Sequence, residues 1–359
     1  MMRGNVFLRV IPPLTEPLSL GHEVPVSDID KELQVLWSAD EAGTRASLMN
    51  FAIYNEEIES LESNSVLLAT ITQEHACRAI LINNVQTCNL GEKPVRAWIT
   101  AHCQLRGGRK SVCSEQISFL LQCGGNRHVR NIVFSHLDSD LPLVFWWQGE
   151  LNDNFEDRLF SVIDRLVIDS ADWSDPLAGF ARLKKAHQDG SSRFSTNDLA
   201  WSRSHKMRRA LSDCFDDKIS LAELPSLSEI SIVHGTKGKI PALMLAAWIA
   251  QRAGLSPAGE MQFRSQDGRS VPLLLESDDA SSTIGVLTLR TTRGFFVLRR
   301  DVGIPFIATR VEIGDHLVED LIPATRDRRS AHVCAQLEQA GNNQLYFPII
   351  DVLEEMLGT

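Results

Sequence analysis

The sequence contains no Gly-x-Gly-x-x-Gly, no Gly-x-Ser-x-Gly and no Cys-x-x-Cys. The first absence removes the usual dinucleotide fingerprint, the second the hydrolase nucleophile elbow, and the third the common zinc knuckle. Long apolar runs are also missing. The longest, Ala242 to Ala250, falls far short of the ~20 residues that a bilayer span needs. There is no basic excess: 36 Lys and Arg stand against 46 Asp and Glu, a formal charge of -10. An anionic chain repels phosphate backbones, so no nucleic-acid partner is expected. The opening residues lack a secretory pattern, because Val6-Phe7-Leu8 is cut short by Arg9 and then by Pro12-Pro13. The expected setting is cytoplasmic, with no membrane partner.

What remains is ordinary globular material. The chain has 359 residues, 43% hydrophobic and 23% charged. That is enough apolar content for a sizeable core, and enough length for two domains. Five of the seven cysteines, Cys77, Cys88, Cys103, Cys113 and Cys123, lie close in sequence; Cys214 and Cys334 lie apart. Reduced thiols packed as small apolar residues are the default reading. Cys103 and Cys113 sit on opposite arms of a proposed hairpin. One register sets them face to face, and the adjacent register sends them to opposite faces.

Periodicity divides the chain. Residues 1–25 are rich in proline and read as an irregular arm. Residues 26–190 alternate strands and helices and read as an α/β domain with a mixed, partly parallel sheet. Its strands are placed at Leu48–Tyr54, Arg78–Ile82, Ala97–Leu105, Val112–Leu121, Leu141–Trp147 and Leu166–Asp169. Residues 191–359 read as an α+β domain with an antiparallel meander. There Ile230–Val233 precedes an apolar helix, Ile240–Arg252. Hairpins follow at Asp267-Gly268 and Thr291–Gly294, and two helices close the chain. A short helix over 126–137 is also expected.

The candidate residues form two groups. Trp146-Trp147 ends a buried strand, so its two indoles must face opposite sides of the sheet. Asp198-Leu199-Ala200-Trp201-Ser202-Arg203 places a helix-capping carboxylate beside an indole and a guanidinium. Trp and Arg dominate protein interfaces. Trp146, Trp147, Asp198, Trp201 and Arg203 are therefore expected at a partner surface or between the two halves. Gly235-Thr236-Lys237-Gly238-Lys239 joins a strand to a helix, where Lys237, Gly238 and Lys239 could hold an anion. The Walker pattern fails there, because Val233 and Ile240 occupy its first glycine and its Ser/Thr position. His75, Cys77, His102, Cys103, Cys113 and Cys123 fit no common zinc spacing, so no metal is expected. Neither a catalytic residue nor a cofactor is assigned; Asp140 and Asp169 are the carboxylates an unrecognised enzyme would use.

In order, several segments resemble the glucose-6-phosphate dehydrogenase assembly protein family, OpcA. They are Val26–Ile29 with Leu36-Trp37, Arg45-Ala46 with Leu48–Tyr54, His75–Ile80, Cys113–Ile117, Asp140-Leu141-Pro142 through Trp147 and Gly149, Asp164–Ser170, Asp198–Arg203 and Ala242–Ala253. Ala76 and Ser202 depart from the proline and threonine of the family's pattern. The resemblance implies a non-catalytic assembly factor or allosteric activator. Its implied partner is glucose-6-phosphate dehydrogenase, at the entry to the oxidative pentose phosphate pathway. The alternative is a sugar-phosphate or nucleotide sensor; whether a small-molecule ligand binds is left open.

Overall fold

The computed structural model describes residues 20–39, 44–45, 47–87, 94–106, 109–122, 129, 131–132, 135–188, 194–324, 329–338 and 344–358. The strands of the first half are β1 (His22–Val24), β2 (Thr44–Arg45), β3 (Asn50–Asn55), β4 (Arg78–Asn84), β5 (Val95–Arg106), β6 (Arg109–Leu121), β7 (Leu143–Trp147), β8 (Arg165–Ile168) and β9 (Ser195–Asp198). They form one sheet in the order β1-β5-β6-β4-β3-β7-β8-β9, with β2 beside β6. β6, β4, β3, β7, β8 and β9 are mutually parallel. Counted along the chain they stand 3-2-1-4-5-6, the doubly wound order of dinucleotide folds. Central strands are apolar on both faces: every residue of β3 and β7 is buried.

The second sheet holds β10 (Leu227–His234), β11 (Ser256–Pro257), β12 (Gln262–Arg264), β13 (Ser270–Ser277), β14 (Val286–Thr291), β15 (Gly294–Arg299), β16 (Phe306–Ile313) and β17 (His316–Pro323). Its order is β11-β12-β13-β10-β14-β15-β16-β17. β14 to β17 are the expected meander, and the β10–β13 pair alone is parallel. Both expected hairpins form. Strict alternation on β16 (Ile307, Thr309, Val311 and Ile313 inside) gives this sheet one buried and one open face.

The helices are α1 (Ile29–Ala39), α2 (Ser60–Glu74), α3 (Asp157–Phe160), α4 (Pro176–Gln188), α5 (Leu199–Arg203), α6 (His205–Asp213), α7 (Lys218–Glu223), α8 (Lys239–Ala253), α9 (Arg329–Glu338) and α10 (Tyr346–Leu357), with short 3-10 turns at Val26–Asp28, Ser170–Asp172 and Leu224–Ser226. The residues of α8 from Ile240 to Ala250 are all buried, as an all-round apolar helix requires. Its end is set by Gly254 in the left-handed conformation, φ 67°.

Two apolar clusters hold the chain together. One lines one face of the first sheet, includes Trp147, and continues without a break through α8 into the second sheet and α10. The other lines the opposite face of the first sheet and gathers Trp146, Leu68 of α2, and Val333, Cys334 and Leu337 of α9. The C-terminal helices therefore pack back on the first half. The expected domain limits differ accordingly. β9 belongs to the first sheet, past residue 190, because Arg165 to Ile168 pair with Ser195 to Asp198. Within the expected arm, His22–Val24 is an edge strand on β5. Of the helix expected over 126–137, half the residues lie outside the described ones, and Val129, Asn131, Ile132, Ser135 and His136 are helical.

The β5–β6 register settles the cysteine alternatives. Cys103 faces Cys113, and the two form a disulfide with Cα atoms 4.0 Å apart. The expectation of reduced thiols throughout is corrected here. Cys77, Cys214 and Cys334 are free.

Candidate functional site

In a doubly wound sheet the ligand crevice opens where the strand order reverses, at the C-terminal ends of the strands. Here that point lies between β3 and β7. The turn after β3 reads Asn55-Glu56-Glu57-Ile58-Glu59-Ser60. Carboxylates stand where a dinucleotide fold places glycines, and they repel a pyrophosphate.

The crevice is filled by its own side chains. Asn55 and Asn64 both donate to Gln148 Oε1, at 3.0 and 2.9 Å, and Gln148 donates back to Asn64 at 2.9 Å. Glu56 accepts from the Tyr54 hydroxyl, from Asn152 at 2.6 Å and from Asn154 at 2.9 Å. Asn84 and Asn154 also donate to the Tyr54 oxygen. Burial and the Glu56 carboxylate push the Tyr54 hydroxyl well above the ordinary tyrosine range. Tyr54 stacks on Trp147 with ring centroids 4.1 Å apart. A hydrogen-bonded network of this size rigidifies a site; the Asn84 and Asn154 Oδ1 atoms are buried in it without a hydrogen-bond partner.

Trp146 and Trp147 point to opposite faces, and both are 0% exposed. Trp147 donates its indole N–H to Glu150 O at 2.8 Å. Trp146 lies under α9, where the Arg329 guanidinium sits 4.9 Å from its ring centroid. Trp201 is 4% exposed beneath the Arg208 guanidinium, 3.4 Å from its centroid. Side chains so placed offer no surface to a partner in this conformation. An alanine at Trp201 would open the core, so the stability of that variant has to be measured before any loss of activation is read as lost contact.

Asp198 and Arg203 belong to a buried polar seam between the first sheet and the C-terminal helices. Asp198 caps α5 through Ala200 N–H at 2.9 Å. It also accepts from Ser170 N–H (3.1 Å), Ser170 Oγ (2.6 Å) and, from α10, Tyr346 Oη (2.8 Å). Arg203 grips Asp169 with two bonds, 2.7 and 2.5 Å, a bidentate geometry. Asp172 receives Lys237 at 2.6 Å and Arg329 at 3.1 Å. Arg165 donates to the Gln336 carbonyl at 2.7 Å.

Burial pushes the Asp198 carboxyl up to about 6. Between about pH 4 and 6 the folded chain holds a proton that the unfolded chain has released. Stability therefore falls as pH rises through this window, by about 3 kcal/mol in all. Asp198→Asn removes that dependence along with some bonding. The stability gap between wild type and Asp198→Asn, followed by urea unfolding, should narrow by that amount from about pH 4 to about pH 7. A gap constant with pH would contradict the assignment.

The proposed anion turn is spent on other contacts. The Gly235 and Gly238 N–H groups bond to Ser282 O and Gly235 O, both at 2.9 Å. A Cβ on Gly238 would meet Thr283 O at 2.1 Å, and one on Gly235 would meet Ser281 O at 2.4 Å. The glycines thus admit backbone carbonyls, and Lys237, at φ 61°, is aimed at Asp172. Lys239 remains exposed. Of the carboxylates an enzyme would use, Asp169 is held by Arg203, and Asp140 is exposed on a turn.

Sequence reasoning missed one motif contact. Glu115, 1% exposed, accepts from Trp37 Nε1 at 3.1 Å and pairs with Arg78 at 3.2 Å. Three separate stretches of the resemblance meet there, and their shared part is structural. The available signal was a Glu in an otherwise buried strand, which demands a cation.

Among the described residues no helix is long and apolar enough to cross a membrane. Structural likenesses include a 3-ketoreductase of Actinomadura kijaniata, at 10% identity and TM-score 0.49, covering 86% of this chain and 95% of that one. An aldose–aldose oxidoreductase of Caulobacter crescentus, at 10% identity and TM-score 0.43, covers 80% and 87%. Likenesses this distant carry no argument about activity. Sequence relatives described as OxPP cycle protein OpcA are 23% identical over 230 residues in Nostoc punctiforme and 24% over 228 residues in Synechococcus elongatus. They match 60% and 59% of this chain, which spans about half their length, 48% and 49%. Residues 69–185 match the family described as glucose-6-phosphate dehydrogenase subunit N-terminal domain, and residues 195–347 match its C-terminal domain. With both domains matched in order, the chain belongs to the OpcA family of glucose-6-phosphate dehydrogenase assembly proteins.

Proposed function

We propose that this chain is a non-catalytic assembly factor that binds glucose-6-phosphate dehydrogenase and favours its active or assembled state. The observation that carries the reading is the switch-point crevice. A doubly wound sheet carries Glu56, Glu57 and Glu59 where phosphates would dock, and Gln148 and three asparagines close the space. An activator needs tighter binding to one state of its partner than to the other. In this reading the buried tryptophans and the Asp198–Arg203 seam shape the contact from behind by fixing the two halves relative to each other.

The contact itself is assigned to the open edge of the second sheet. Among the described residues, six of the thirteen exposed large apolar side chains are Val302, Ile304, Phe306, Leu317, Val318 and Leu321. The register puts Phe306, Ala308, Leu317 and Leu321 on the same outer face. Apolar patches rimmed by charge, here Arg310 with Glu312 and Glu319, mark interaction surfaces. Leu321→Asp, at a position 63% exposed, should leave the fold intact and weaken binding to the dehydrogenase about 10-fold or more. Sedimentation or calorimetric titration of the two proteins reads this directly. Unchanged affinity in Leu321→Asp and Leu317→Asp would remove this face from the proposal.

A further inference from the structure

The last turn of α2 and the middle of α9 bring together three side chains of different chemistry. Glu74, His75 and Cys334 each offer a ligand atom, and these atoms lie within 4.8 Å of one another. Glu74 ends α2, and the His75 N–H closes the helix on Ile71 O at 2.9 Å. Cys334 is 5% exposed, held there by the packing of Val333 and Leu337 into the cluster that contains Leu68 and Ile71 of α2. The His75 Nε2 atom is buried without a hydrogen-bond partner, a cost that native structures rarely leave uncompensated.

We propose that Glu74, His75 and Cys334 form a divalent metal site, fitted best by Zn2+, that pins α9 to the end of α2. A thiolate, an imidazole and a carboxylate are the donors that zinc accepts, and a water completes the tetrahedron. Ligand atoms around tetrahedral zinc stand about 3.5 Å apart, so the observed cluster closes by side-chain rotation. Binding is an exchange without redox change: Zn2+ enters, the Cys334 proton leaves to solvent, and a Zn–S bond replaces the S–H bond. Burial and Glu74 push the Cys334 thiol up to about 12, so without a cation it is a thiol bonded to that carboxylate. The site falls outside the zinc spacings sought in sequence, because Cys334 is remote from Glu74-His75, and it revises the expectation that no metal is held.

The test is anaerobic titration of the whole oxidised protein with Co2+, followed by Zn2+. One equivalent of Co2+ should give tetrahedral visible bands and a thiolate-to-cobalt charge-transfer band, and Zn2+ should abolish both. Cys334→Ser should remove the charge-transfer band. His75→Gln and Glu74→Gln, at less buried positions, should each weaken Co2+ binding by about 10-fold or more. Cys77→Ser and Cys214→Ser should leave the spectrum unchanged. Zn2+ should raise the melting temperature of wild type and not of His75→Gln. Absence of the charge-transfer band in wild type would overturn the proposal and leave a simple thiol–carboxylate hydrogen bond. So would a band that survives both Cys334→Ser and His75→Gln.

Discussion

Trp147→Ala is expected to lose about 3–5 kcal/mol of folding stability. The indole is 0% exposed, stacks on Tyr54 and meets Phe155 edge-on with centroids 5.4 Å apart. Tyr54, the stacked neighbour, is not free to collapse into the space, because it is held by Glu56, Asn84 and Asn154. The truncation also leaves the Glu150 carbonyl without its indole donor. Urea unfolding with a constant m-value is the check. A loss under about 1 kcal/mol would mean that the site relaxes, and that the closed crevice is less rigid than described. Any loss of partner activation in this variant should follow the folded fraction.

Arg203→Ala is expected to cost a similar amount, about 3–5 kcal/mol, for an electrostatic reason. Asp169 is 2% exposed, and its carboxylate is gripped by both guanidinium nitrogens. Removing the cation strands a buried anion beside Asp198, itself fully enclosed. The double variant Asp169→Asn/Arg203→Met removes both charges and should be less destabilised than Arg203→Ala alone. A double variant that is worse than either single would show that the pair's geometry, rather than its charge balance, holds the seam.

Much of this architecture is legible in local pattern. The doubly apolar runs of β3, β4 and β7, the turn chemistry at Asp267-Gly268 and the all-round apolar α8 each declare themselves within a dozen residues. The adjacent indoles alternate as strand geometry dictates. Strand order leaves no such local trace. Pairing of β3 with both β4 and β7 is a long-range fact, so the 3-2-1-4-5-6 order and the position of the switch point emerge only in three dimensions. β9 was hidden for another reason: Ser195-Thr196-Asn197-Asp198 is polar, and it is held by β8 and its helix cap rather than by propensity. Trp201 shows the same limit: an indole beside arginine serves an interface and a core equally well, so the sequence leaves both settings open, and here Arg208 covers it. β17 escaped because both its faces are largely open, which blurs the alternation. The Cys103–Cys113 pairing turned on a one-residue choice of register that sequence leaves undecided.

In the proposed function the chain docks on glucose-6-phosphate dehydrogenase and carries no turnover of its own. The most direct test is to titrate the purified protein into glucose-6-phosphate dehydrogenase at fixed substrate and follow cofactor reduction, with the protein alone as control. The account predicts a saturable rise in rate with added protein, blunted by Leu321→Asp, and a flat trace for the protein alone. A rate indifferent to the added chain, or turnover by the chain by itself, would contradict it.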